Sequence, residues 1–432
     1  MNKKILIFSI AYPFSAIYKS TNKYQPFVGG AEFAIKEITD RIDDIQFDMV
    51  TLRFDNKLPK FERVGNINVY RIGFAKKNPS LGDSLKFPLM LNKYLFVFLA
   101  FIKAQCLHKK NDYSAIWGMM AAYAGFVALF FKKKNNRIPF LLTLQEGDDL
   151  EYIAKRASVL KGLFKQIFTK ADYIQCISNY LADWAMEMGA KHPIEVVPNG
   201  VDTYKFQILN FKFQKNIKYQ ISPACTDGNF KKEFREKLGI SEDDKVIITA
   251  SRLVEKNGVE DLIRAMGKFQ IPNFKLLIAG SGKLEDKLKK LVQELNLQNN
   301  VLFLGQISQD ELPKYLWASD IFCRPSLSEG LGNSFLEAMA TGVPVIATPV
   351  GGIPDFLIDG ETGIFCKVKN PESIADAVMR LLNDKILYDK IATNGLRLVE
   401  EKYDWDRISL QMKEIYNKVK SQKSKVKNAS QK

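Results

Sequence analysis

Histidine and cysteine are scarce in this 432-residue chain, and their scarcity argues against several kinds of chemistry. The two histidines, His108 and His192, lie far apart, which argues against a histidine-ligated metal site and a histidine-based catalytic triad. The five cysteines are odd in number and form no CxxC pair, so neither a zinc site nor a disulfide framework is indicated. We expect most of the five cysteines to be small core hydrophobes in a reducing, cytoplasmic compartment; they are Cys106, Cys176, Cys225, Cys323 and Cys366.

A long uninterrupted apolar run is also missing. The most apolar window, 87–107, is broken by Asn92, Lys93 and Lys103, so it falls short of the roughly 20 clean residues that a membrane span needs. The N-terminal "MNKKILIFSIAYPF" imitates a signal peptide, but its Tyr-Pro-Phe stretch interrupts the place of a small-residue cleavage site. We interpret this segment as the first buried strand of a parallel sheet.

Acidic residues are outnumbered by basic ones, 48 against 63, and the resulting net charge of +15 indicates an anionic partner. Nucleic acid, anionic lipid and a phosphorylated small molecule are the candidate classes. No aromatic-interleaved basic strand or recognition motif supports nucleic acid. The lysine-rich stretch 419–432 is predicted to be a disordered, solvated basic tail.

A second basic cluster, "KKKNNR" at 132–137, directly follows the apolar run "AGFVALFF". Together with the apolar helix predicted over 95–107, it resembles segments that lie on an anionic leaflet. The alternative is that the apolar faces pack inside the domain and the lysines face water. The sequence leaves both readings open, so peripheral membrane contact is one of two expectations.

Short, continuously apolar segments alternate with amphipathic ones along most of the chain, as in "KILIFSI" followed by "AEFAIKEITDRI". The predicted strands are "KILIFSI", "FDMVTLRF", "INVYRIGF", "SAIWGM", "FLLTLQ", "YIQCIS" and "IEVVPNG" in the first half, and "KVIITAS", "FKLLIAGSG", "VLFLGQ", "IFCRPS", "VPVIATPV" and "GIFCKV" in the second. Such strands belong to parallel sheets that are covered on both faces. We predict an α/β protein with two doubly wound Rossmann-like domains that face one another across a cleft. The predicted domains are 1–204 and 205–404, with a helix over 405–418 that packs back on the first domain.

The stretch "SEGLGNSFLEAMATGVPVIATPVGG" places two acids, Glu329 and Glu337, on either side of a glycine turn. We expect a helix to begin near Asn333 or Ser334, so that Gly332, Asn333 and Ser334 direct backbone N–H groups at a phosphate. The flanking carboxylates would accept hydrogen bonds from sugar or ribose hydroxyls. Alternatively, Ser334 and Glu337 form an S-x-x-E capping box.

This stretch resembles the E-x7-E signature of the GT-B retaining glycosyltransferases, family 4 (glycosyl transferases group 1). The resemblance extends along nearly the whole chain, and it implies that domain 1–204 binds the acceptor and that domain 205–404 binds the nucleotide sugar. It includes "FVGGAEFAIKEI", "VPNGVD", "SRLVEKNGVEDLIRAM", "IAGSGKLEDKLKKL", "VLFLGQIS" and "DGETGIFCKVKNPESIADAV", in the order of the family.

The resemblance implies that Arg252 and Lys256 neutralise the departing nucleotide diphosphate, in a site that uses neither metal nor cofactor. A guanidinium suits phosphate because it can bind two oxygens at once, and a lysine adds a point charge. The alternative is a solvated pair on a loop. The family's lysine directly precedes the glycine, where this chain has Asn257, so Lys256 would have to reach the phosphate from one residue earlier.

Other donor-binding roles are also implied by the resemblance. Glu337 would hold the ribose hydroxyls and Glu329 would hold the donor sugar near its reacting face. Leu304 to Ile307 would lie beside the base. Gly29 and Gly30 would let the backbone of the first domain approach the phosphate and sugar, although they also read as a plain helix-opening turn.

The acceptor half departs from the family pattern after the strand "FLLT". A histidine is usual there, whereas this chain has Gln145, with Glu146 beside it. Glutamine can donate to a sugar hydroxyl but cannot titrate near neutral pH, so base catalysis by histidine is excluded at this position. Asp148 and Asp149 are further candidates for binding the acceptor, although they could equally cap the next helix.

The expected activity is therefore retaining transfer of a sugar from a UDP- or GDP-sugar to a glycan or lipid-linked acceptor in cell-surface polysaccharide, lipopolysaccharide or glycolipid synthesis. A sugar-nucleotide 2-epimerase of the same fold is the alternative. Epimerases need acidic and histidine groups for proton transfer, and the E-x7-E segment fits a transferase better.

Overall fold

The computed structural model describes residues 3–15, 29–79, 83, 86–207, 229–269 and 273–429. The chain divides into two compact units. Unit 1 combines Met1–Asn199 with Trp405–Lys432, and unit 2 is Gly200–Asp404. The Rossmann-like character expected of both halves is confirmed by the sheets described below.

The first boundary lies at Asn199–Gly200, five residues before the predicted 204–205. The reason is local pairing inside unit 2. The backbone N–H of Val201 donates to the carbonyl of Tyr403 at 2.7 Å, and the Thr203 hydroxyl donates to the Asp404 carboxylate at 2.5 Å. The first residues of unit 2 are thereby joined to its last ones. Most of the polar segment 205–230 lies outside the described residues.

Unit 1 contains eight strands among the described residues, and each predicted apolar run in this half forms one of them. The strands are β1 Lys3–Phe8, β2 Ile45–Leu52, β3 Phe61–Val64, β4 Ile67–Ile72, β5 Ala115–Met119, β6 Phe140–Leu144, β7 Tyr173–Cys176 and β8 Ile194–Val196. The helices are α1 Gly30–Asp40, α2 Leu89–His108, α3 Ala124–Lys134, α4 Leu150–Arg156, α5 Lys161–Lys170 and α6 Asn179–Glu187, with a 3-10 turn at Ser158–Leu160.

The sheet of unit 1 has the order β3-β4-β2-β1-β5-β6-β7-β8. All neighbouring strands are parallel except β3 and β4, which are antiparallel. The strand order reverses at β1, which lies between β2 and β5. In such sheets ligands bind beyond the carboxyl ends of the strands at this reversal. A ligand site in unit 1 is therefore expected beyond the carboxyl ends of β1 and β5.

The last helix, α15 Trp405–Ala429, completes the core of unit 1. Trp405, Ile408, Met412 and Val419 are buried among residues of α1 and the central strands. The prediction of disorder from residue 419 is wrong for 419–429, because Val419 is fully buried and the lysine-rich continuation has no proline or glycine to end the helix. Residues 430–432 lie outside the described residues.

Unit 2 contains six strands among the described residues. They are β9 Lys245–Ala250, β10 Phe274–Ala279, β11 Val301–Gly305, β12 Ile321–Arg324, β13 Val345–Ala347 and β14 Ile364–Phe365. The helices are α7 Thr203–Gln207, α8 Asn229–Lys237, α9 Val259–Met266, α10 Glu285–Glu294, α11 Leu312–Ala318, α12 Asn333–Ala340, α13 Pro371–Asn383 and α14 Lys385–Lys402, with 3-10 turns at Glu255–Asn257 and Ile353–Asp355.

The sheet of unit 2 is wholly parallel and has the order β11-β10-β9-β12-β13-β14. This is the Rossmann order, and it reverses between β9 and β12. The loops that follow these two strands are packed backbone against backbone. A Cβ on Gly258, whose φ is +66°, would lie 1.9 Å from the carbonyl oxygen of Pro325. The residues after β9 are therefore held against the residues after β12.

Candidate functional site

Arg324, the last residue of β12, lies at the centre of the carboxyl edge of the unit 2 sheet, which is called the unit 2 edge below. Its side chain is 6% exposed, and Nη2 lies 2.5 Å from the Glu329 carboxylate. Nη1 donates to the Ser334 hydroxyl at 2.7 Å and to the carbonyl of Ala250 at 3.4 Å. The guanidinium also lies 4.1 Å from the ring centroid of Phe335. One buried cation therefore connects β9, the loop after β12 and the start of α12.

Gly332 allows this arrangement because it has a φ of +91° and because a side chain at this position would meet the guanidinium. A Cβ at this position would lie 2.7 Å from Nη2 of Arg324 and 2.5 Å from the Phe335 ring. Gly332 is the N-cap of α12, which begins at Asn333 as expected, and no side chain caps the helix. The capping-box alternative is therefore wrong, because Ser334 bonds to Arg324 and Glu337 is the fifth helical residue.

Glu337 is buried on α12, with 5% of its surface exposed. Burial raises the pKa of its carboxyl group to about 7, while a hydrogen bond from Gln309 and the charges of Lys205 and Arg324 act in the opposite direction. Burial lowers the pKa of the Arg324 guanidinium, which Glu329 and Glu337 oppose and Arg252 reinforces. These couplings put both acids of the E-x7-E segment and Arg252 in one electrostatic cluster.

Arg252 and Lys256 lie on the loop after β9, where Arg252 is exposed and Lys256 is half-buried. The loop is fixed from both sides. The Asn257 amide donates to the carbonyl of Arg252 at 2.7 Å, and the N–H of Leu327 donates to the carbonyl of Lys256 at 2.6 Å. Asn257 itself is buried, so in this chain it supports the loop that carries the two cations.

Leu304 and Ile307 lie at the carboxyl end of β11, the outermost strand on the β10 side of the sheet. Both are half-buried, as apolar side chains beside a planar ligand would be. Gln309, which contacts Glu337, follows them closely in the chain. The position of these residues at the same edge is compatible with their predicted place beside the base, and that role stays a prediction.

In unit 1, Gly29 and Gly30 open α1 immediately after the undescribed residues 16–28. Gly29 is the N-cap, is exposed and has an extended backbone with φ −125°. Its N–H donates to the Glu32 carboxylate at 2.9 Å. The helix-opening turn is thus present, and the predicted approach to a phosphate and sugar stays a prediction.

Glu146 follows β6 and is 2% exposed. Its Oε1 accepts a hydrogen bond from the N–H of Ala121 at 2.6 Å, beyond the end of β5, while its buried Oε2 has no hydrogen-bond partner. Burial raises the pKa of this carboxyl group to about 7, against the lowering effect of the backbone N–H groups. A buried carboxyl oxygen without a partner beside the strand reversal is an unusual feature, because such atoms are nearly always paired.

Two neighbours of Glu146 have clear partners. The Gln145 amide donates to the side-chain carbonyl of Asn199 at 3.0 Å, and the Asn199 amide points back to Gln145 at 3.4 Å. Asp149 caps α4 by accepting from the N–H of Tyr152 at 2.9 Å, which confirms the capping alternative for this residue. Asp148 is exposed beside it.

Sequence reasoning missed Arg324, Gln309 and Asn199. Arg324 stood in the predicted strand "IFCRPS", where a single cation ends an otherwise apolar run and could have been recognised as a buried charge that needs an acid. Asn199 belongs to the quoted motif "VPNGVD", but its pairing with Gln145 joins residues 54 positions apart. No local pattern reveals such a contact.

A metal site does not emerge from the described part of the chain, in which no three His, Cys, Asp or Glu side chains are arranged to hold an ion. The unit 2 edge instead combines cationic side chains, a helix N-terminus and hydroxyl-accepting carboxylates. Cations and a helix N-terminus suit a phosphate, and carboxylates suit sugar hydroxyls. The arrangement can therefore hold a phosphorylated sugar.

Known structures define the class of protein. The fold matches sucrose-phosphate synthase from Thermosynechococcus elongatus with a TM-score of 0.78 at 23% identity, over 96% of this chain and 99% of that one. It also matches Anabaena HepE in complex with UDP-glucose, with a TM-score of 0.70 at 21% identity over 96% and 99% of the two chains. The chain is a two-domain α/β protein of the GT-B class.

Sequence comparison then gives the family. The profile described as Glycosyltransferase Family 4 matches residues 28–205, and the profile described as Glycosyl transferases group 1 matches residues 230–398. The chain belongs to glycosyltransferase family 4, so it is a transferase. The membership of family 4 that the motifs indicated is thereby confirmed.

Three curated relatives illustrate the breadth of this family. An uncharacterized glycosyltransferase of Methanocaldococcus jannaschii is 28% identical over 92% of this chain and 96% of its own length. The N-acetyl-alpha-D-glucosaminyl L-malate synthase of Bacillus anthracis is 30% identical over 65% and 68%. A GDP-mannose-dependent monoacylated alpha-(1-6)-phosphatidylinositol monomannoside mannosyltransferase of Corynebacterium glutamicum is 32% identical over 56% and 61%.

Because Arg324 and Glu329 form a largely buried ion pair, we predict that substitutions of these two residues are strongly coupled in their effect on stability. Arg324→Met should lower the free energy of unfolding by about 3–5 kcal/mol, because it leaves a largely buried carboxylate without its cation. Adding Glu329→Gln should recover part of this loss, so a double-mutant cycle by chemical denaturation should give a coupling of about 2 kcal/mol.

The matched control is the exposed pair Arg264–Glu260, 2.9 Å apart on one helix, where Arg264→Met and Glu260→Gln should couple by only about 0.3–0.5 kcal/mol. Additive effects of Arg324→Met and Glu329→Gln would show that the buried pair has no special role.

The raised pKa of Glu146 leads us to predict that the free energy of unfolding depends on pH. Because its pKa is raised to about 7 in the folded chain, the folded state keeps a proton that the unfolded chain releases between about pH 4.5 and 7. The free energy of unfolding should therefore fall as pH rises through this window, by up to roughly 3 kcal/mol from this group. Glu146→Gln should remove that fall, as measured by denaturation at pH 5, 6, 7 and 8.

The exposed Glu151 on the following helix provides the comparison, and Glu151→Gln should retain the native pH profile. Parallel profiles for the native chain and Glu146→Gln would mean that Glu146 is ionised throughout this range.

Proposed function

We propose that this transferase moves a sugar from a UDP- or GDP-sugar to a glycan or lipid-linked acceptor, with retention of the anomeric configuration and without a metal ion. The observation that carries the proposal is the cluster of Arg324, Glu329, Glu337 and Arg252 at the strand reversal of unit 2. A nucleotide diphosphate needs cations at its phosphates and acids at its hydroxyls, and this edge offers both.

The choice of donor is supported by the relatives as well as by the site. The Corynebacterium relative is named as GDP-mannose-dependent, and the Anabaena structure holds UDP-glucose. We assign Arg252 and Lys256 to the diphosphate, together with the backbone at Gly332, Asn333 and Ser334. Glu337 would hold the ribose and Glu329 the donor sugar. Leu304 and Ile307 would flank the base.

Arg324 acts as a positioning residue in this proposal. Its side-chain nitrogens are occupied by Glu329, Ser334, Ser326 and a backbone carbonyl, so it orients the groups that would touch the donor. Glu337 is held in the same way by Gln309. Catalysis would then rest on electrostatic preorganisation, which costs no rearrangement at the moment of reaction.

The proposed step is a front-face displacement. The bond between the anomeric carbon and the β-phosphate oxygen breaks, and the acceptor oxygen bonds to the same face of that carbon. The acceptor's hydroxyl proton passes to the leaving phosphate oxygen, and no side chain becomes a nucleophile. Arg252 and Lys256 stabilise the negative charge that develops on the leaving diphosphate.

The acceptor is assigned to unit 1, at the edge that carries Gln145, Glu146 and Asp148. Glu146 supports this assignment because its Oε2 is buried without a partner and its pKa lies near neutral pH. Such a carboxyl group can donate to or accept from a sugar hydroxyl. The product would enter cell-surface polysaccharide, lipopolysaccharide or glycolipid.

Donor binding tests the site directly. UDP- and GDP-sugars should raise the thermal unfolding midpoint of the native chain, because they bind the folded state alone. Arg252→Ala and Glu337→Gln should each raise the dissociation constant of the donor by at least about tenfold, since each removes a hydrogen bond to a charged group.

Arg264→Ala is the control, since Arg264 is exposed on α9 and pairs with Glu260, and it should bind the donor like the native chain. Undiminished binding by Arg252→Ala and Glu337→Gln would contradict the assigned roles.

The products of a donor incubated without acceptor test the reaction type. Slow hydrolysis is expected, and proton NMR of the first-formed sugar should show the anomer of the donor, with the same rate in the presence of EDTA. Full conversion to the 2-epimeric sugar nucleotide would instead establish the epimerase alternative. The opposite anomer would overturn retention, and loss of turnover in EDTA that added metal restores would overturn metal independence.

A further inference from the structure

The helix α2 has one face that is built into unit 1. Its buried residues include Phe96, Ala100 and Ala104, and it packs on β2, β4 and α3. Asn92 is fully buried, and its side chain exchanges two hydrogen bonds with the backbone of Phe74, at 2.7 and 2.8 Å. This face is therefore fixed by packing and by polar contacts.

The opposite face of α2 is apolar and exposed. Met90, Tyr94, Phe98 and Ile102 recur every fourth residue, so they lie on one side of the helix. Tyr94 is 75% exposed and Phe98 is 63% exposed, and Phe87, just before the helix, is 78% exposed. Large exposed apolar side chains are ordinary when scattered singly, but a contiguous stripe indicates a binding surface.

A groove beside this stripe joins α2 to α3. It has a volume of about 560 Å³, and its lining includes Tyr94, Phe98, Phe101, Phe130, Lys133 and Lys134. These six residues are called the basic–aromatic surface below. Lys133 and Lys134 are exposed at the end of α3, so they place two positive charges at the margin of the aromatic groove.

The two chain segments that form the basic–aromatic surface carry charge of a single sign, and the acid Asp172 reaches only Lys132, which is not one of the six surface residues. Residues 86–110 and 124–137 together carry nine lysine and arginine residues and no acidic residue. Aromatic and aliphatic side chains bordered by lysines are the composition of helices that lie in a bilayer interface, where cations meet anionic headgroups. An acidic protein surface would satisfy the lysines but would leave the aromatic stripe without an apolar partner.

Length and composition alone would allow α2 to span a membrane, and it is the one such helix found in the described part of the chain. Its contacts argue against a span. The face that carries Asn92 is hydrogen-bonded and packed within unit 1, so lipid cannot surround the helix. The prediction that this segment does not cross a bilayer therefore stands on packing, in addition to Lys93 and Lys103.

We propose that the basic–aromatic surface binds the surface of an anionic lipid bilayer, with the stripe of α2 inserted at the level of the headgroups. The partner is a lipid bilayer rather than a second protein, because the surface combines exposed aromatic side chains with lysines, and the segments that form it contain no acidic residue. This would hold the transferase on the inner face of the cytoplasmic membrane. The proposal adds a location to the proposed function, and it is tested independently of it.

The experiment uses the full chain and vesicles. Co-sedimentation with phosphatidylglycerol–phosphatidylcholine vesicles should be strong at low salt and weak with pure phosphatidylcholine. Tyr94→Ser/Phe98→Ser should weaken vesicle binding because it removes apolar insertion. Lys133→Glu/Lys134→Glu should weaken it at least about tenfold and flatten its salt dependence, since each lysine near an anionic surface contributes about a fivefold factor.

Two matched control variants test whether the position of the substituted residues matters, or only the loss of apolar side chains and positive charge. Ile386→Ser/Leu410→Ser removes two exposed apolar side chains elsewhere, 84% and 65% exposed, and Lys237→Glu/Lys290→Glu makes the same change in net charge on unit 2. Both should bind vesicles like the native chain. All variants should keep the thermal shift with the donor sugar, so a failure of membrane binding is distinguishable from a failure of the proposed function.

Three results would overturn the proposal. They are absence of vesicle binding by the native chain, equal loss in the control variants, and a dimer in sedimentation velocity that Tyr94→Ser/Phe98→Ser abolishes without any vesicle binding. The last result would assign the surface to a second copy of the chain.

Discussion

A buried guanidinium determines the arrangement of the unit 2 edge. Taking Arg324 out of water is costly unless its charge is paired and its N–H groups are bonded. Glu329, Ser334 and the carbonyl of Ala250 satisfy it, and each of them lies on a different segment. The loop after β12 and the first turn of α12 must therefore adopt the positions that complete its coordination. Gly332 is required because any side chain would displace the guanidinium.

The two units place different buried charges at equivalent edges of similar sheets. Both edges hold a buried carboxyl group whose pKa lies near 7, Glu337 in unit 2 and Glu146 in unit 1, but in unit 2 this group is coupled to the buried cation Arg324, which is in turn coupled to Arg252. The exposed Arg252, which is not neutralised by the Arg324–Glu329 pair, suits a dianionic ligand. A carboxyl group that is close to neutral suits uncharged hydroxyls, because it can both donate and accept. This difference agrees with the division of labour between donor and acceptor proposed above.

Much of the fold was predictable because buried parallel strands are continuous apolar runs, and these runs were found in both halves. The antiparallel edge strand β3 was missed, since "FERV" alternates in exposure and has half its residues polar. The candidate acids and the start of α12 followed from glycine and acid spacing. Arg324 and the Gln145–Asn199 pair did not, because their partners are brought close only by the sheet. The supposed capping box failed because Arg324 binds the serine.

The path of the chain has a consequence for how the protein is made. Unit 1 draws its last core helix from residues that follow the whole of unit 2, and Trp405, Ile408 and Met412 complete its interior. During synthesis the first 199 residues leave the ribosome long before that helix exists. Unit 2 is continuous and can close its own core first. Unit 1 must therefore keep part of its apolar core exposed until α15 has been synthesised. The nascent chain most needs protection from aggregation during this interval.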